Sequence, residues 1–148
     1  MNYFNESLNY FNSERYQGTW YEIAKYPFKW EIGCHGSTAE YEMSGNELLI
    51  TNSCKINNKQ FIRKGRGIMI EDFKFKIIFD DGLPNDGVGD YWIEYTDYDN
   101  YSIVGSPSRK YLWILSRRQI ITQDEYNFLL NIVRKRGYPT DKLVVNKI

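Results

Sequence analysis

The sequence has few of the residues that carry metal and nucleophile chemistry. It contains one histidine, two cysteines and four prolines in 148 residues. A structural zinc site needs about four ligands, whereas Cys34, His35 and Cys54 supply at most three, two of which are adjacent. No serine–histidine–aspartate or cysteine–histidine set can be assembled around the single histidine. We therefore expect no metal, no cofactor and no catalytic residues.

An excess of charge and long apolar runs are also lacking. The chain has 19 lysines and arginines against 19 aspartates and glutamates. This balance argues against nucleic-acid binding, which needs a positive excess to displace counterions from phosphates. The mean hydropathy is −0.59, and no apolar run approaches the ~18 residues that a membrane-spanning helix requires. The sequence therefore predicts no transmembrane segment.

The first seven residues have neither the basic start nor the apolar stretch of a signal peptide. We therefore expect an intracellular protein, unless the sequence is that of a mature form. The chain has the length of a single domain, which we divide into an N-terminal arm (residues 1–14) and one barrel domain (residues 15–148). Monomer and homodimer both stay open, as does peripheral contact with a membrane.

Aromatic rings are what the sequence has in abundance, with 13 tyrosines, 8 phenylalanines and 4 tryptophans. Residues 38–43 and 73–79 alternate apolar with polar side chains, which is typical of antiparallel strands with one buried and one wet face. Weaker strand patterns cover residues 20–26, 47–52, 61–69, 91–96, 101–105 and 111–116. Eight strands in succession predict an all-β, antiparallel up-and-down barrel, wide enough for one small ligand.

The connections between these strands alternate in length. Short hairpin links are predicted at residues 44–46, 71–72 and 97–100. The alternate connections are longer, and cover residues 27–36, 55–60, 80–89 and 106–110. Because alternate loops of a meander lie at opposite ends of a barrel, we expect one tightly closed end and one open mouth.

One helix is predicted after the strands. Thr122 and Glu125 have the spacing of a capping box, and apolar residues follow at helical spacing. Strand 111–116 is apolar on both faces, so Leu112 and Ile114 are expected to seat this helix on the outside of the barrel. A short final strand is predicted at residues 143–145.

Three segments, in order along the chain, match signatures of the lipocalin family. Gly-Thr-Trp-Tyr-Glu at residues 18–22 resembles the glycine-x-tryptophan signature that opens the first strand of lipocalins. Thr-Asp-Tyr-Asp-Asn-Tyr at residues 96–101 resembles the second motif, and Arg117 falls where the third motif places its arginine. The sequences of residues 20–24, 89–92 and 107–117 are similar to the subgroup of bacterial outer-membrane lipocalin, plant temperature-induced lipocalin and apolipoprotein D.

The resemblance covers roughly residues 15–143 and implies which residues are structural. A guanidinium group over a tryptophan ring would seal the closed end of the barrel by a cation–π contact. The signature residues are therefore expected to support the fold rather than catalysis. They are Gly18, Trp20, Thr96, Asp97, Tyr98 and Arg117.

The predicted cavity lining depends on which face of each strand points inward. Trp113 points inward if the resemblance holds, and an inward Tyr91 takes Ile93 and Tyr95 with it and turns Glu94 to water. The resulting set is deep, aromatic and mostly uncharged, which suits acyl chains, sterols or other flat lipophiles. The predicted lining residues are Ala39, Tyr41, Met43, Phe75, Ile77, Phe79, Tyr91, Ile93, Ile103 and Trp113.

Two interpretations of the cysteines stay open, a disulfide or a pair of buried thiols. Cys34 lies in the first long loop, and Cys54 lies near the end of the third strand. Since the second and third strands are hairpin neighbours, both cysteines lie at the same end of adjacent strands, which favours a disulfide. Some bacterial members of the family also resemble this chain in carrying such a pair.

Three functions are weighed. The first is binding and carriage of a small hydrophobic ligand, above all a fatty acid or a lysophospholipid. The second is a protein-interaction or oligomerising module with a filled barrel and exposed aromatic residues in the arm, namely Tyr3, Phe4, Tyr10 and Phe11. The third is a redox enzyme or isomerase that uses Cys34, in which Glu22 is the carboxylate we suspect of facing inward.

Overall fold

The residues that the structure describes fold into nine strands and two helices. The computed structural model describes residues 10–27, 31–81 and 89–146. The strands are β1 (Gly18–Lys25), β2 (His35–Ser44), β3 (Glu47–Ile56), β4 (Lys59–Glu71), β5 (Lys74–Phe79), β6 (Asp90–Thr96), β7 (Tyr101–Gly105), β8 (Leu112–Ser116) and β9 (Val144–Val145). The helices are α1 (Ser13–Tyr16) and α2 (Gln123–Lys135).

Strands β1 to β8 form a closed antiparallel barrel. Each strand pairs with the next along the chain, and β1 also pairs with β8, which closes the sheet. The short β9 adds to the outer part of β1, where Ala24 lies opposite Val145. The predicted up-and-down barrel with one C-terminal helix and a short final strand is confirmed.

One of the connections that we predicted to be long is in fact tight. Asn57 and Asn58 alone separate β3 from β4, and both have positive φ angles, 51° and 64°. Asparagine tolerates this left-handed conformation, which two-residue hairpin turns require. The prediction of a long loop at residues 55–60 was therefore wrong. Strands β3 and β4 both extend beyond the residues whose sequence pattern predicted them. The connection at 80–89 lies largely outside the described residues.

An irregularity in β6 changes which side chains face inward. The pairing of β6 with β7 shifts register between Ile93 and Tyr95, as it does at a bulge. Tyr95 therefore packs on the outside, against Phe128 of α2, and the prediction that it shares the inner face of Ile93 was wrong. Glu94 accepts a hydrogen bond from the Tyr138 hydroxyl at 2.8 Å.

The buried side chains form two separate clusters. The inner cluster fills one end of the barrel interior and includes Trp20, Tyr41, Leu48 and Phe75. The outer cluster lies between the barrel wall and α2. It joins Leu112 and Ile114 to Leu129 and Val133 of the helix, together with Ile103 and others. The predicted seat of the helix is confirmed, and so is its capping box, in which Thr122 and Glu125 each bond the other's backbone N–H.

The signature residues close one end of the barrel. The Arg117 guanidinium lies 3.8 Å from the centre of the Trp20 ring and donates to the carbonyls of Tyr98, Thr19 and Arg15 at 2.9–3.0 Å. Gly18 has a φ of +104°, and a Cβ there would meet Arg117 at 3.2 Å. This conformation and this close approach both require glycine.

The link between β6 and β7 is held by its own side chains. The Asp97 carboxylate accepts from the backbone N–H groups of Asn100 and Tyr101 at 2.9 and 2.8 Å. Thr96 accepts from the backbone N–H of Tyr98 at 3.0 Å. These contacts give Thr96 and Asp97 structural roles in the turn.

Part of the N-terminal arm belongs to the closed end. Phe11 is buried in the inner cluster. The centre of its ring lies 5.2–5.3 Å from the ring centres of Tyr16, Phe73 and Phe75. The prediction of an exposed Phe11 was therefore wrong, because its ring packs into the closed end of the barrel. Tyr10 is exposed, and Tyr3 and Phe4 lie outside the described residues. Neither described helix is long and apolar enough to cross a membrane.

Candidate functional site

The interior of the barrel holds a cavity of about 300 Å³. Towards the plugged end its wall is apolar and includes Ala39, Ile50 and Val104. At the opposite end the cavity reaches the half-exposed side chains of Phe61 and Ile62. The cavity therefore runs from the plugged end of the barrel to the opposite rim. Its volume lies at the small end of the range for ligand pockets, which suits one slender molecule.

The structure brings six of the ten predicted lining residues to this cavity. They come from strands β2, β5, β6 and β8 and are Ala39, Tyr41, Ile77, Phe79, Tyr91 and Trp113. Three more, Met43, Phe75 and Ile93, belong to the inner cluster or pack against it. They fill the barrel below the open space rather than line it.

The tenth predicted residue, Ile103, lies on the other side of the barrel wall. It is fully buried in the outer cluster, under the helix. Its neighbour Val104 takes the inner position and lines the cavity. The prediction for Ile103 was wrong because Ile103 and Val104 are adjacent apolar residues of β7, so alternation did not identify which of them faces inward.

Sequence analysis missed the polar rim of the cavity. Arg63 and Asp81 both line it, and the Arg63 Nε lies 2.8 Å from an Asp81 oxygen. The Arg63 guanidinium also lies 3.6 Å from the centre of the Phe79 ring. The sequence of β4 contained a signal for this position. Arg63, Gly65 and Gly67 are alternate residues of the strand and therefore share its inward face.

Two carboxyl groups face the cavity from its wall, one of them suspected from the sequence. Glu22 on β1 and Glu31 in the following loop both line the cavity. The ammonium of Lys25 lies 3.3 Å from Glu22 and 3.7 Å from Glu31, but Lys25 is not part of the lining. Lys25 lies opposite the cavity-lining Trp113 in the pairing of β1 with β8, so the cation lies next to the two carboxyl groups.

This environment changes the ionisation of Glu22. Burial raises the pKa of Glu22 to about 8, and the neighbouring Glu31 charge adds to the increase. Lys25 and a 2.7 Å hydrogen bond from the Asn146 amide oppose it. At neutral pH Glu22 therefore holds a proton.

A chain of hydroxyl groups lies at the inner end of the cavity. Tyr16 Oη lies 2.7 Å from Ser102 Oγ and 2.8 Å from Tyr91 Oη, and Tyr91 donates to Tyr41 Oη at 2.7 Å. Tyr41 and Tyr91 also line the cavity. Burial raises the pKa of both phenols well above their ordinary range, so they act as neutral donors and acceptors.

The two cysteines form a disulfide at the rim. Cys34 and Cys54 are bonded, with their Cα atoms 5.4 Å apart, and both line the upper cavity. The disulfide that the sequence favoured is confirmed. Among the described residues, no group of three histidine, cysteine, aspartate or glutamate side chains is placed to hold a metal ion.

An aromatic cavity inside a closed eight-stranded barrel, plugged at one end by a tryptophan and an arginine, defines the lipocalin class of binding fold. A family model described as a lipocalin-like domain matches residues 11–147. The chain therefore belongs to the lipocalin-like family.

Individual relatives agree with this assignment. A protein of Acanthamoeba polyphaga mimivirus that is named as a lipocalin is 36% identical, over 90% of this chain and 82% of its own length. Temperature-induced lipocalin-1 of Arabidopsis thaliana is 33% identical, over 89% of this chain and 76% of its own. Outer membrane lipoprotein Blc and apolipoprotein D match as well, so the resemblance to that subgroup is confirmed.

Solved structures support the fold independently. Insecticyanin of the tobacco hornworm Manduca sexta superposes with a TM-score of 0.75, at 22% identity, over 95% of this chain and 82% of its own. At this identity the likeness establishes the barrel architecture alone.

Proposed function

We propose that this protein binds and carries a small hydrophobic ligand with one slender chain, a fatty acid or a lysophospholipid. The observation that carries the proposal is the cavity of about 300 Å³, walled mainly by apolar and aromatic side chains and left open at one end of the barrel by the described residues. Such a cavity takes up apolar surface that would otherwise face water.

The expected affinity follows from the surface that such a ligand buries. Burial contributes about 25 cal/mol for each Å² of apolar surface. A chain that buries roughly 300 Å² thus gains about 7 kcal/mol, which corresponds to a Kd on the order of micromolar. The tyrosine hydroxyls at the inner end supply the few polar contacts that orient such a ligand.

A carrier role is also our proposal in preference to the enzyme and interaction hypotheses. The thiol of Cys34 is engaged in the disulfide with Cys54, so it is not available as a nucleophile in this state. The interaction hypothesis assumed a filled barrel and an exposed Phe11, whereas Phe11 is buried and the barrel contains a cavity.

The carrier proposal is tested by filling the cavity. Ala39 lines the cavity, and the next residue, Glu40, is exposed on the outer face of the same strand. We expect Ala39→Phe to weaken binding of a single-chain lipid by at least about tenfold, because the new ring occupies space that the ligand needs. Glu40→Phe adds the same ring on the outside and should leave the affinity unchanged.

Binding is measured by fluorescence of the cavity-lining Trp113 and by native mass spectrometry of lipid retained through gentle purification. If the wild-type protein takes up neither fatty acids nor lysophospholipids, the carrier proposal is wrong. Equal loss of affinity in both variants would also contradict it, since that result would place the ligand outside the barrel.

A further inference from the structure

One hydrogen-bond donor at the inner end of the cavity has no acceptor among the described residues. Each hydroxyl group in the chain of Ser102, Tyr16, Tyr91 and Tyr41 has one proton to donate. Tyr91 uses its proton on Tyr41. The proton of Tyr41 is therefore left over, whichever way the hydroxyls of Tyr16 and Ser102 point.

Tyr41 is placed so that only a cavity ligand can reach this donor. Its side chain is buried, with 4% of its surface exposed, and it is part of the cavity lining. Its ring contacts that of Tyr16 at 5.3 Å, next to the plug of the barrel. A buried donor without a partner costs free energy, and an acceptor atom on a ligand would remove that cost.

The charges around Tyr41 restrict which acceptor fits. Glu22 is its electrostatic neighbour, and Glu22 and Glu31 are the carboxyl groups of the nearby wall. Lys25 is already paired with both, and Arg63 at the rim is paired with Asp81. An ionised ligand carboxylate at Tyr41 would therefore be buried without a counter-ion.

We propose that the Tyr41 hydroxyl receives an uncharged oxygen of the ligand, so that the ligand enters the barrel with its polar end inward. The class of ligand is a lipophile with a neutral acceptor, such as a long-chain alcohol, a ketone, or a fatty acid in its protonated form. This inference rests on the proposed carrier function and specifies the orientation and ionisation state of the cargo.

The proposal predicts opposite pH responses for two matched probes, dodecanol and dodecanoate. A fatty acid ionises near pH 4–5, as glutamate does, so the fraction of neutral acid falls about tenfold for each unit of pH above that range. The affinity for dodecanoate should therefore fall about tenfold per unit between pH 5.5 and 7.5. The affinity for dodecanol should stay constant, because Glu22 remains protonated in this range.

The dodecanol series also controls for other groups that titrate in the protein. Among the described residues, the charged side chains around the cavity are Glu22 and Lys25 of β1, Glu31 of the next loop, and Arg63 and Asp81 of the rim. His35, at the start of β2, does not line it. A titration that changes the shape of the cavity would affect both probes, whereas ionisation of the ligand affects dodecanoate alone.

Two variants locate the donor. Tyr41→Phe keeps the ring and removes the hydroxyl, and should weaken dodecanol binding by about tenfold at pH 7. Tyr95→Phe removes a hydroxyl from the outer face of the barrel, where Tyr95 packs against Phe128, and should change the affinity by less than about twofold. Titration calorimetry with each folded variant gives these values, and the wild-type pH series needs no variant at all.

The outcomes separate this inference from the carrier proposal. If neither probe binds at any pH, the carrier function itself is wrong. If both bind but Tyr41→Phe matches the wild type, or if the dodecanoate affinity does not depend on pH, the carrier function stands and the inward polar end is disproved.

Discussion

Glu22 lies in an environment that disfavours its ionised form. Its carboxyl is buried in a wall that is otherwise mostly apolar, beside Glu31, and its pKa is raised to about 8. The folded protein therefore holds a proton on Glu22 between about pH 4.5 and 8, a range in which the unfolded chain has released it. Folding that takes up a proton becomes less favourable as the pH rises.

Replacement of Glu22 by glutamine should remove this dependence. In the wild type, the contribution of Glu22 to the free energy of unfolding falls as the pH rises from 5 to 8, by at most about 1.4 kcal/mol per pH unit. Glu22→Gln has no proton to lose, so its stability relative to the wild type should increase steadily over this range. Urea denaturation at pH 5, 6, 7 and 8 measures the difference.

The exposed Glu40 provides the control for loss of one negative charge. Glu40→Gln should shift the free energy of unfolding by a small amount that does not grow towards pH 8. A constant difference between Glu22→Gln and the wild type at all four pH values would show that Glu22 ionises normally in the folded protein.

At the scale of elements, helix α2 is the part that local sequence signals specify best. Thr122 caps the N-terminus and Glu125 completes the capping box, while Leu129 and Val133 pack on Leu112 and Ile114 of the barrel wall. All of these contacts follow from spacing along the chain. Local sequence therefore determines where α2 begins and ends, and the barrel supplies the surface against which the helix packs.

Loss of the cap should destabilise the protein by a modest amount. Thr122→Ala removes the acceptor for the Glu125 N–H, which lies 3.1 Å from Thr122 Oγ1, and should cost about 1 kcal/mol of unfolding free energy. Thr122→Ser keeps the hydroxyl and should cost less than half of that. Equal stability of the alanine variant and the wild type in urea denaturation would mean that the outer cluster alone fixes the helix.

The strands show where sequence reasoning reaches its limit. Alternation identified the inner faces of β2 and β5, because polar and apolar residues alternate strictly there. It failed at Tyr95, since the register shift in β6 reverses the parity, and at Ile103, since β7 has a helix on its outer face. In both places the deciding contact comes from α2, which is distant in sequence.

The residues of the candidate site could be predicted only where the inward face of a strand could be predicted. Most of the aromatic lining follows from parity, and Glu22 was suspected. Glu31 was not, because it lies in a loop whose path is set by tertiary contacts, among them the 3.4 Å approach of the Trp113 Nε1. The spare proton of Tyr41 depends on side chains of four different segments, which no local pattern brings together.

At the scale of the whole molecule, the two ends of the barrel are fastened in different ways. One end is filled by side chains, with Phe11 and Trp20 in the inner cluster and Arg117 over the Trp20 ring. At the other end the described residues leave the cavity open, and there the Cys34–Cys54 disulfide ties the loop after β1 to β3. Packing thus stabilises the closed end, whereas a covalent bond constrains the open one.

This division predicts that removal of the disulfide lowers stability more than it lowers affinity. The bond closes a loop of 20 residues, and loss of such a constraint on the unfolded chain costs about 3 kcal/mol. The double variant Cys34→Ser/Cys54→Ser should therefore unfold at a lower urea concentration. Its affinity for a lipid at low temperature should stay within about threefold of the wild type, because the inner cavity wall is unchanged.

The wild type with its disulfide reduced is the matched control and should behave as the double variant does. Loss of lipid binding by a double variant that is still folded would instead show that the disulfide shapes the cavity itself.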